Sequence, residues 1–439
     1  RCAGRLAAGG RRLIARVNRL EARTLRAATA YGTFPAITSA HPSLCEGSGR
    51  HIVRGRIFAL AATPNVGSCG IASAASSLPG TAAAITEIAT ALGPGPFQHI
   101  IVFYSPAHHV KRVAELLRRA YPGTEISGCS TSGEITLDGM TQGGIVAVAF
   151  PYRGFRVLAE AIYSVDQSGV EQARELARRL KSKFGVRHPM RDRVFGVMLV
   201  DGLSNAEETL IAAVHWAMDD VQLVGGSAGD DLAFRETSLI HKGRVLQRAA
   251  LLIMVESEVP FRVFKSQNFE PTGAKLVVTA ADTERRIVHE LNAEPAAQEY
   301  AAAIGLLPDD LGPFSFASYP LVVRVGGDYY CRSIRNMNPD GSLTFFCAID
   351  EGLVFTVANP QEMTLATQRT LQAVESSLGG IDIVLGFDCI LRKLDAENRQ
   401  IRHQLADIYR RFHVVGFHTY GEQFNAMHIN QTLTGLWFK

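Results

Sequence analysis

Apolar residues along the chain alternate between two rhythms. Runs such as His99–Tyr104, Val194–Val200 and Ile381–Phe387 are continuous and bulky, as strands covered on both faces require. Between them, apolar residues recur at helical spacing, as Val110, Val113, Leu116 and Leu117 do, which puts them on one face of a helix. In the first half this predicts helices over Ala82–Leu92, Val110–Ala120, Val170–Lys183 and Ala206–Met218, the last capped by Ser204 or Asn205. Strands are predicted at Thr124–Gly128, Gly144–Phe150, Phe155–Ala161 and Val221–Val224. The pattern then turns β-rich, with a hairpin of Thr237–Ile240 and Val245–Val255 about His241-Lys242-Gly243-Arg244. Further strands follow at Val277–Ala280, Ile287–Asn292, Leu321–Val325, Leu343–Cys347 and Leu353–Val357. Helices are predicted at Pro295–Gly305, Met363–Leu378 and Ala396–Phe412. The expected fold class is α/β. Each half is a mixed sheet, or a sandwich of sheets, with helices outside. No short-period repeat is visible. The domains are expected at 79–256 and 257–439, joined between Val255 and Phe261, with residues 1–78 standing apart.

Two stretches break the apolar pattern in the same way. Val414-Val415-Gly416-Phe417 runs into His418-Thr419-Tyr420-Gly421-Glu422-Gln423, and Met427-His428-Ile429-Asn430-Gln431-Thr432 follows. Ile126-Ser127-Gly128 likewise runs into Cys129-Ser130-Thr131-Ser132-Gly133-Glu134. Buried polar groups need hydrogen-bond partners, so each cluster is either a satisfied network or the lining of a ligand pocket. We expect two walls of one pocket, one from each half. The second wall lies at the C-terminal end of a strand, where open α/β sheets place ligands.

Composition narrows the class. Of 439 residues, 47% are apolar and 20% charged, with a net charge of +3. That is ordinary globular material with no case for nucleic acid. Seven scattered cysteines without a CxxC favour reduced thiols and a cytoplasmic setting. The first 26 residues carry eight Arg, no Lys and one acid, Glu21. This resembles a transit peptide or a basic arm, against the plainer reading of a poorly ordered extension. Residues 57–86 lack charge but are rich in Gly, Ser and Ala, unlike a membrane span.

Candidate chemistry is sparse. Gly225-Gly226-Ser227-Ala228-Gly229 matches an esterase elbow, but Asp230-Asp231 and a hairpin follow where a helix is needed. A Gly turn bringing backbone N–H groups to a ligand suits it better. Cys129 lacks a nearby histidine to lower its pKa. Cys389 also ends a strand, where a thiolate would suit a soft metal or haem. No histidine pair has zinc-site spacing. His413, His418 and His428 flank one turn, and a haem needs only one axial His in an apolar slot. An enzyme using Ser227 or Cys129 remains the weakest reading, and no catalytic activity is expected.

Gly128-Cys129-Ser130-Thr131-Ser132-Gly133-Glu134, Gly225-Gly226-Ser227-Ala228-Gly229-Asp230, Tyr420-Gly421-Glu422 and His428-Ile429-Asn430-Gln431-Thr432 together resemble the FIST family over residues 97–439. The resemblance implies an N-terminal and a C-terminal FIST domain and a sensory, ligand-binding role in signal transduction. Phe387-Asp388-Cys389-Ile390-Leu391-Arg392 and Gly421-Glu422-Gln423 look most like a bacterial branch that binds non-covalent haem b and senses nitric oxide. That branch acts on a partner histidine kinase. On this reading His418 or His428 is the axial iron ligand, with Tyr420 and Cys389 as lesser candidates. Arg392 and Arg324 pair with the propionates. If the His428 motif only builds the turn, the ligand is elsewhere, at His289 or His109. The alternative is an amino acid or similar metabolite held by Cys129, Ser130, Thr131, Glu134, Ser227, Glu422 and Asn430. Output is expected through a partner protein, without nucleic acid or membrane. A homo-oligomer is compatible with either reading.

Overall fold

The computed structural model describes residues 65–185, 192–219 and 221–439. Most of the Arg-rich extension, with Cys2 and Cys45, lies outside them. The described chain repeats one unit three times. The first unit is β1 (Ala72–Ser76), α1 (Thr81–Leu92), β2 (Phe97–Tyr104), α2 (Val110–Ala120), β3 (Glu125–Ser130), the hairpin β4 (Glu134–Thr136) and β5 (Gly139–Thr141), and β6 (Ile145–Pro151). The second is β7 (Phe155–Ile162), α3 (Gly169–Phe184), β8 (Val194–Val200), α4 (Glu207–Met218), β9 (Gln222–Ser227), the hairpin β10 (Leu239–His241) and β11 (Arg244–Leu246), and β12 (Ala250–Ser257).

The third unit opens with β13 (Phe261–Gln267) and then carries an insertion. The insertion contains β14 (Phe269–Asp282), β15 (Ile287–Leu291), α5 (Ala296–Ile304), α6 (Pro313–Ser318), β16 (Leu321–Val325), β17 (Asp328–Arg332), β18 (Ile334–Met337), β19 (Leu343–Phe345) and β20 (Val354–Pro360). The unit resumes with α7 (Met363–Leu378), β21 (Ile383–Cys389), α8 (Ile390–Asn398), α9 (Arg402–Arg411) and β22 (Val414–Thr419). The hairpin β23 (Glu422–Phe424) and β24 (Met427–Ile429), and then β25 (Thr432–Phe438), complete it.

The units exchange their hairpins in a ring. The strand orders are β1-β6-β2-β3-β10-β11, β7-β12-β8-β9-β23-β24 and β13-β25-β21-β22-β4-β5. Each sheet thus receives the hairpin of a neighbour. The expectation of a mixed α/β fold with helices outside holds. The repeat is hidden because its spacing is long and uneven, 83 residues from Ala72 to Phe155 and 106 from Phe155 to Phe261, and because the insertion splits its third copy. The continuous apolar runs are explained as well. One face of every central strand enters a core shared by all three sheets, where Phe103 stacks on Phe417 at 4.6 Å and meets Phe387 edge-on at 6.3 Å. The other face lies under the unit's own helices.

Glycine makes the parallel strand pairs possible. Gly128, Gly225 and Gly416 sit opposite Val102, Met198 and Gly386. A Cβ at these positions would come within 1.9, 1.9 and 1.8 Å of the facing carbonyl oxygens. One expected helix is interrupted. Between α8 and α9, Gln400 takes φ 59, a left-handed turn that lets α9 start on a new axis.

The insertion has its own core, with Phe345 and Phe355 stacked at 5.4 Å. It is tied to the second unit through Arg286, which is 4% exposed and donates to Glu207 at 2.8 Å and Glu208 at 2.7 Å. Removing one partner of a buried pair leaves an uncompensated charge, at about 3–5 kcal/mol. Arg286→Met is therefore expected to lower thermal stability strongly. Adding Glu207→Gln should recover part of the loss. Thermal melts of both variants check this.

Candidate functional site

The C-terminal ends of the parallel strands converge where three turns interlock. Ser132 N donates to His418 O at 3.0 Å, Tyr420 N to Ser227 O at 3.1 Å, and Gly229 N to Ser130 O at 3.1 Å. A second ring runs through the same residues. His418 N donates to Gly133 O, Ser227 N to Gly421 O, and Ser130 N to Ser238 O, at 2.8, 2.8 and 2.9 Å. Ser130, Ser227 and His418 are thus equivalent by position. The two expected walls are three, and the third is the glycine-rich turn Gly225–Gly229, whose sequence matches an esterase elbow.

Each unit closes its hairpin with a buried carboxylate. Glu134 accepts from Thr131 Oγ1 at 2.5 Å and from Gly144 N at 2.9 Å. Glu422 accepts from Thr419 Oγ1 at 2.5 Å and from Thr432 Oγ1 and N at 2.6 and 3.2 Å. In the second unit Asp201 takes this place, accepting from Thr237 Oγ1 and from Arg248 N. Burial pushes Glu134 up to about 7 and Glu422 up to about 8. These are structural clasps rather than ligand groups, because their oxygens already have intramolecular donors.

The same holds for most of the expected pocket. Ser130 Oγ accepts from Ser238 N, Ser227 Oγ accepts from Gln423 Nε2, and Asn430 donates to Tyr420 O. Cys129 faces the shared core beside Ile101 and Phe103, since alternation along β3 turns it away from Ser130. Burial raises its thiol well above the usual range.

One position breaks the threefold pattern. Where the other units place a bonded serine hydroxyl, the third places His418. It is fully buried, and neither ring nitrogen has a hydrogen-bond partner. Its Nδ1 lies 3.5 Å from Asp388. Its Cδ2 and Lys393 Nζ lie 3.2 and 3.0 Å from where a Gly133 side chain would begin. Lys393 is 5% exposed and donates to Ser132 O at 3.1 Å. Asp231 N donates to Ser132 Oγ at 3.2 Å, while its buried Oδ1 has no partner. Lys393, His418 and Asp231 therefore converge on Ser132-Gly133 from three different elements. Burial lowers Lys393 and His418 and raises Asp231, so each is pushed toward its neutral form.

A loop covers this junction. Asp230 accepts from the backbone of Phe234, Arg235 and Glu236 at 2.9, 2.7 and 3.0 Å. It also accepts from Tyr420 OH. Phe234 stacks on the Tyr420 ring at 5.1 Å. Half-buried Leu203, Leu232 and Leu394 pack beside Cys389 and Tyr420.

Residues 98–294 match the FIST N domain, and residues 296–425 match the FIST C domain. This is a FIST-domain protein. Over 195 residues, 44% of its length, it is 25% identical to an uncharacterized protein, MJ1623, of Methanocaldococcus jannaschii. The match spans 37% of that relative.

The expected haem residues of this FIST protein do not fit a haem. Arg392 is spent on Asp388, Asn268 and Thr367 at 2.7, 2.8 and 2.9 Å. Arg324 is exposed on the insertion, over the Tyr329 ring. Cys389 is buried, and burial raises its thiol well above the usual range. Tyr420 is engaged with Asp230. His428 bonds Gln423 through Nδ1 at 3.3 Å, and Glu208, Glu207, Arg286 and Arg332 surround it. Its Nε2 is unpartnered, but charged neighbours are not an apolar porphyrin slot. None of these residues lines any of four open cavities found among the described residues, of about 700, 530, 550 and 210 Å³. Nor do His289 and His109, the alternative axial ligands. Among the described residues no group of three or more His, Cys, Asp and Glu side chains is placed to hold a metal ion, and no helix is long and apolar enough to cross a membrane.

Sequence reasoning missed Lys393, Asp231 and Ser132. A signal was present: Asp388-Cys389-Ile390-Leu391-Arg392-Lys393 carries three charges at a strand-to-helix junction. Nothing local said that Lys393 turns inward.

Proposed function

We propose that this FIST-domain protein senses a small molecule at the junction of its three sheets. The ligand engages Lys393, His418 and Asp231, and the message passes to a partner protein. The observation that carries this reading is the fully buried His418 ring without a hydrogen-bond partner, at the position where the other repeats place a satisfied serine. Unpartnered buried polar groups are costly. A ligand that supplies partners would stabilise the folded state by mass action. Tyr420 and Phe234 join the site to the covering loop, and Asp395 on α8 accepts from Ser318 of the insertion at 3.0 Å. Occupancy would therefore change contacts on both sides of the junction. A histidine kinase is the partner class that the family resemblance suggests.

Thermal-shift screening of small metabolites against wild type, Lys393→Met and His418→Gln tests this. Ligands binding at about a hundredth of their working concentration should stabilise the wild type by ~2.7 kcal/mol. That stabilisation should be lost in both variants. Ligands that stabilise all three chains equally would place the site elsewhere. Absorption spectra of protein made with haem precursor, with and without nitric oxide, test the haem branch on the same samples. A stoichiometric Soret band that responds to nitric oxide would overturn the metabolite reading.

A further inference from the structure

We propose that the cavity between residues 66–73 and the start of β21 binds a short-chain primary amine in its ammonium form. The site is separate from the junction assigned above and does not depend on it. Asp382 immediately precedes β21, whereas Asp388 stands near its far end, roughly 20 Å away along an extended strand.

Space for a small ligand is present. The cavity measures about 210 Å³, and its walls include Val66, Ser73, Leu137, Asp382, Ile383 and His413. At roughly 30 Å³ for each water-sized group it holds about seven such groups. Its polar walls are acceptors. Asp382 receives Ser68 N at 2.8 Å and Cys69 N, and among the described residues it forms no ion pair. His413 Nδ1 lies 3.0 Å from Asp382 O. A carbonyl oxygen only accepts, so Nδ1 carries the proton and Nε2 of the neutral ring keeps a lone pair. Ser73 is 5% exposed, and its hydroxyl has no hydrogen-bond partner. An unbonded buried hydroxyl is costly, and a ligand donor reaching it would remove that cost. Asp382, His413 and Ser73 thus offer three acceptors, the number that a primary ammonium can use. Val66, Leu137 and Ile383 suit a short alkyl chain. No basic side chain lines the cavity, which disfavours carboxylates, phosphates and zwitterions.

The chain builds the carboxylate into this wall. Residues 67–71 form a turn closed by Gly67 N to Ile71 O at 3.0 Å and Gly70 N to Gly67 O at 2.9 Å. Asp382 sits directly over that turn. A Cβ at Gly67 would come within 2.7 Å of the Asp382 carboxyl carbon, so glycine is what admits the carboxylate. Partial burial opposes ionisation of Asp382, but the donors from Cys69 and Ser68 outweigh it and hold the carboxyl below its usual range. Burial and the bond to Asp382 push the Cys69 thiol up to about 12. It therefore stays protonated, and Asp382 is the anion that a cation meets.

The test titrates isobutylamine hydrochloride into the full chain at pH 7 and low salt, read by isothermal calorimetry. Isobutyrate and isobutanol serve as anionic and neutral ligands of the same shape. The amine should saturate one site per chain with a Kd on the order of 1 mM. Isobutyrate should show no saturable binding. Ser73→Ala removes a hydroxyl that bonds nothing in the protein, so it should leave the thermal melt unchanged and weaken the amine about 10-fold. Asp382→Asn should weaken it by at least ~10-fold, and its melt shows whether the turn survives. If Asp382→Asn does not fold, Ser73→Ala alone decides. No saturable binding of the amine overturns the proposal. So does isobutanol binding as tightly as the amine, which would make the cavity a plain apolar hole. Amine affinity that survives both substitutions places the amine elsewhere and overturns it too. Failure here leaves the junction reading untouched, because that reading is tested on Lys393→Met and His418→Gln.

Discussion

Gly416→Ala is expected to prevent stable folding. The new Cβ would lie 1.8 Å from the Gly386 carbonyl oxygen and 2.8 Å from its carbon. That partner is backbone in the middle of a parallel pair, so no side chain can swing away. The residue also holds φ +156, near the edge of what an L-residue tolerates. Relief would require parting β21 from β22, the strands that deliver Asp388 and His418 to the junction. The expected loss exceeds ~4 kcal/mol, the range reserved for a named packing or backbone failure. Denaturant unfolding of purified protein measures it. By the threefold relation, Gly128→Ala and Gly225→Ala should behave alike. Gly123→Ala, where no atom lies within 4 Å of the new methyl, should cost far less, although its φ of +86 leaves some strain. A Gly416→Ala chain as stable as wild type would show that the ring of parallel pairs is looser than described.

Glu422→Gln is expected to remove a pH dependence with little loss of stability at acid pH. Burial raises Glu422 from 4.5 to about 8. A carboxyl whose folded pKa is raised contributes its stability fully below the unfolded value. That contribution is lost as pH rises toward and through the folded value. Between about pH 4.5 and 8 the wild type should therefore weaken with rising pH, with a limiting slope of ~1.4 kcal/mol per pH unit. Glu134, raised to about 7, acts in the same direction over a narrower window. Buried His99 and His241, lowered to about 3 and 4, act in the opposite sense, favouring the folded state as pH rises. The difference between wild type and Glu422→Gln isolates the one carboxyl. Glutamine resembles the protonated acid: its carbonyl can accept from Thr432 and its amide can donate to Thr419. Glu422→Ala instead strands both hydroxyls and the Thr432 N–H, which should cost about 1–3 kcal/mol for each group left unsatisfied. Chemical denaturation of the three proteins at pH 5.5 and 8.5 checks the sign. A variant with the same pH slope as wild type would mean that Glu422 is ionised throughout.

Threefold symmetry separates the clasp of the junction from the groups left outside it. In a ring of three equivalent turns, a polar side chain with a partner in each copy is part of the clasp. Thr131 with Glu134, Thr419 with Glu422 and Thr237 with Asp201 are of that kind. A residue that differs from its two counterparts and has no partner has been released from the clasp. His418 is of that kind, beside Lys393 and Asp231. Most of the residues with the densest polar sequence signal prove structural, and the site falls on neighbours that carried little signal.

The sequence by itself determined the α/β class, the helices and strands of the central units, the FIST family and the importance of the Gly-x-Ser and Gly-Glu stretches. These are legible because buried parallel strands need unbroken apolar runs, because amphipathic helices show their spacing, and because close strand approach demands glycine. Tertiary structure alone decided three further things. The hairpins pair with a neighbouring sheet, which no local pattern encodes. Strand alternation and the ring of backbone hydrogen bonds sort Cys129 into the core and Ser130, Ser227, Glu134 and Glu422 into the clasp. The third is the meeting of Lys393, Asp231 and His418, which are distant in sequence or on separate elements. Their shared site exists only because three strand ends are drawn to one point, where burial, rather than residue type, sets which polar groups lack partners.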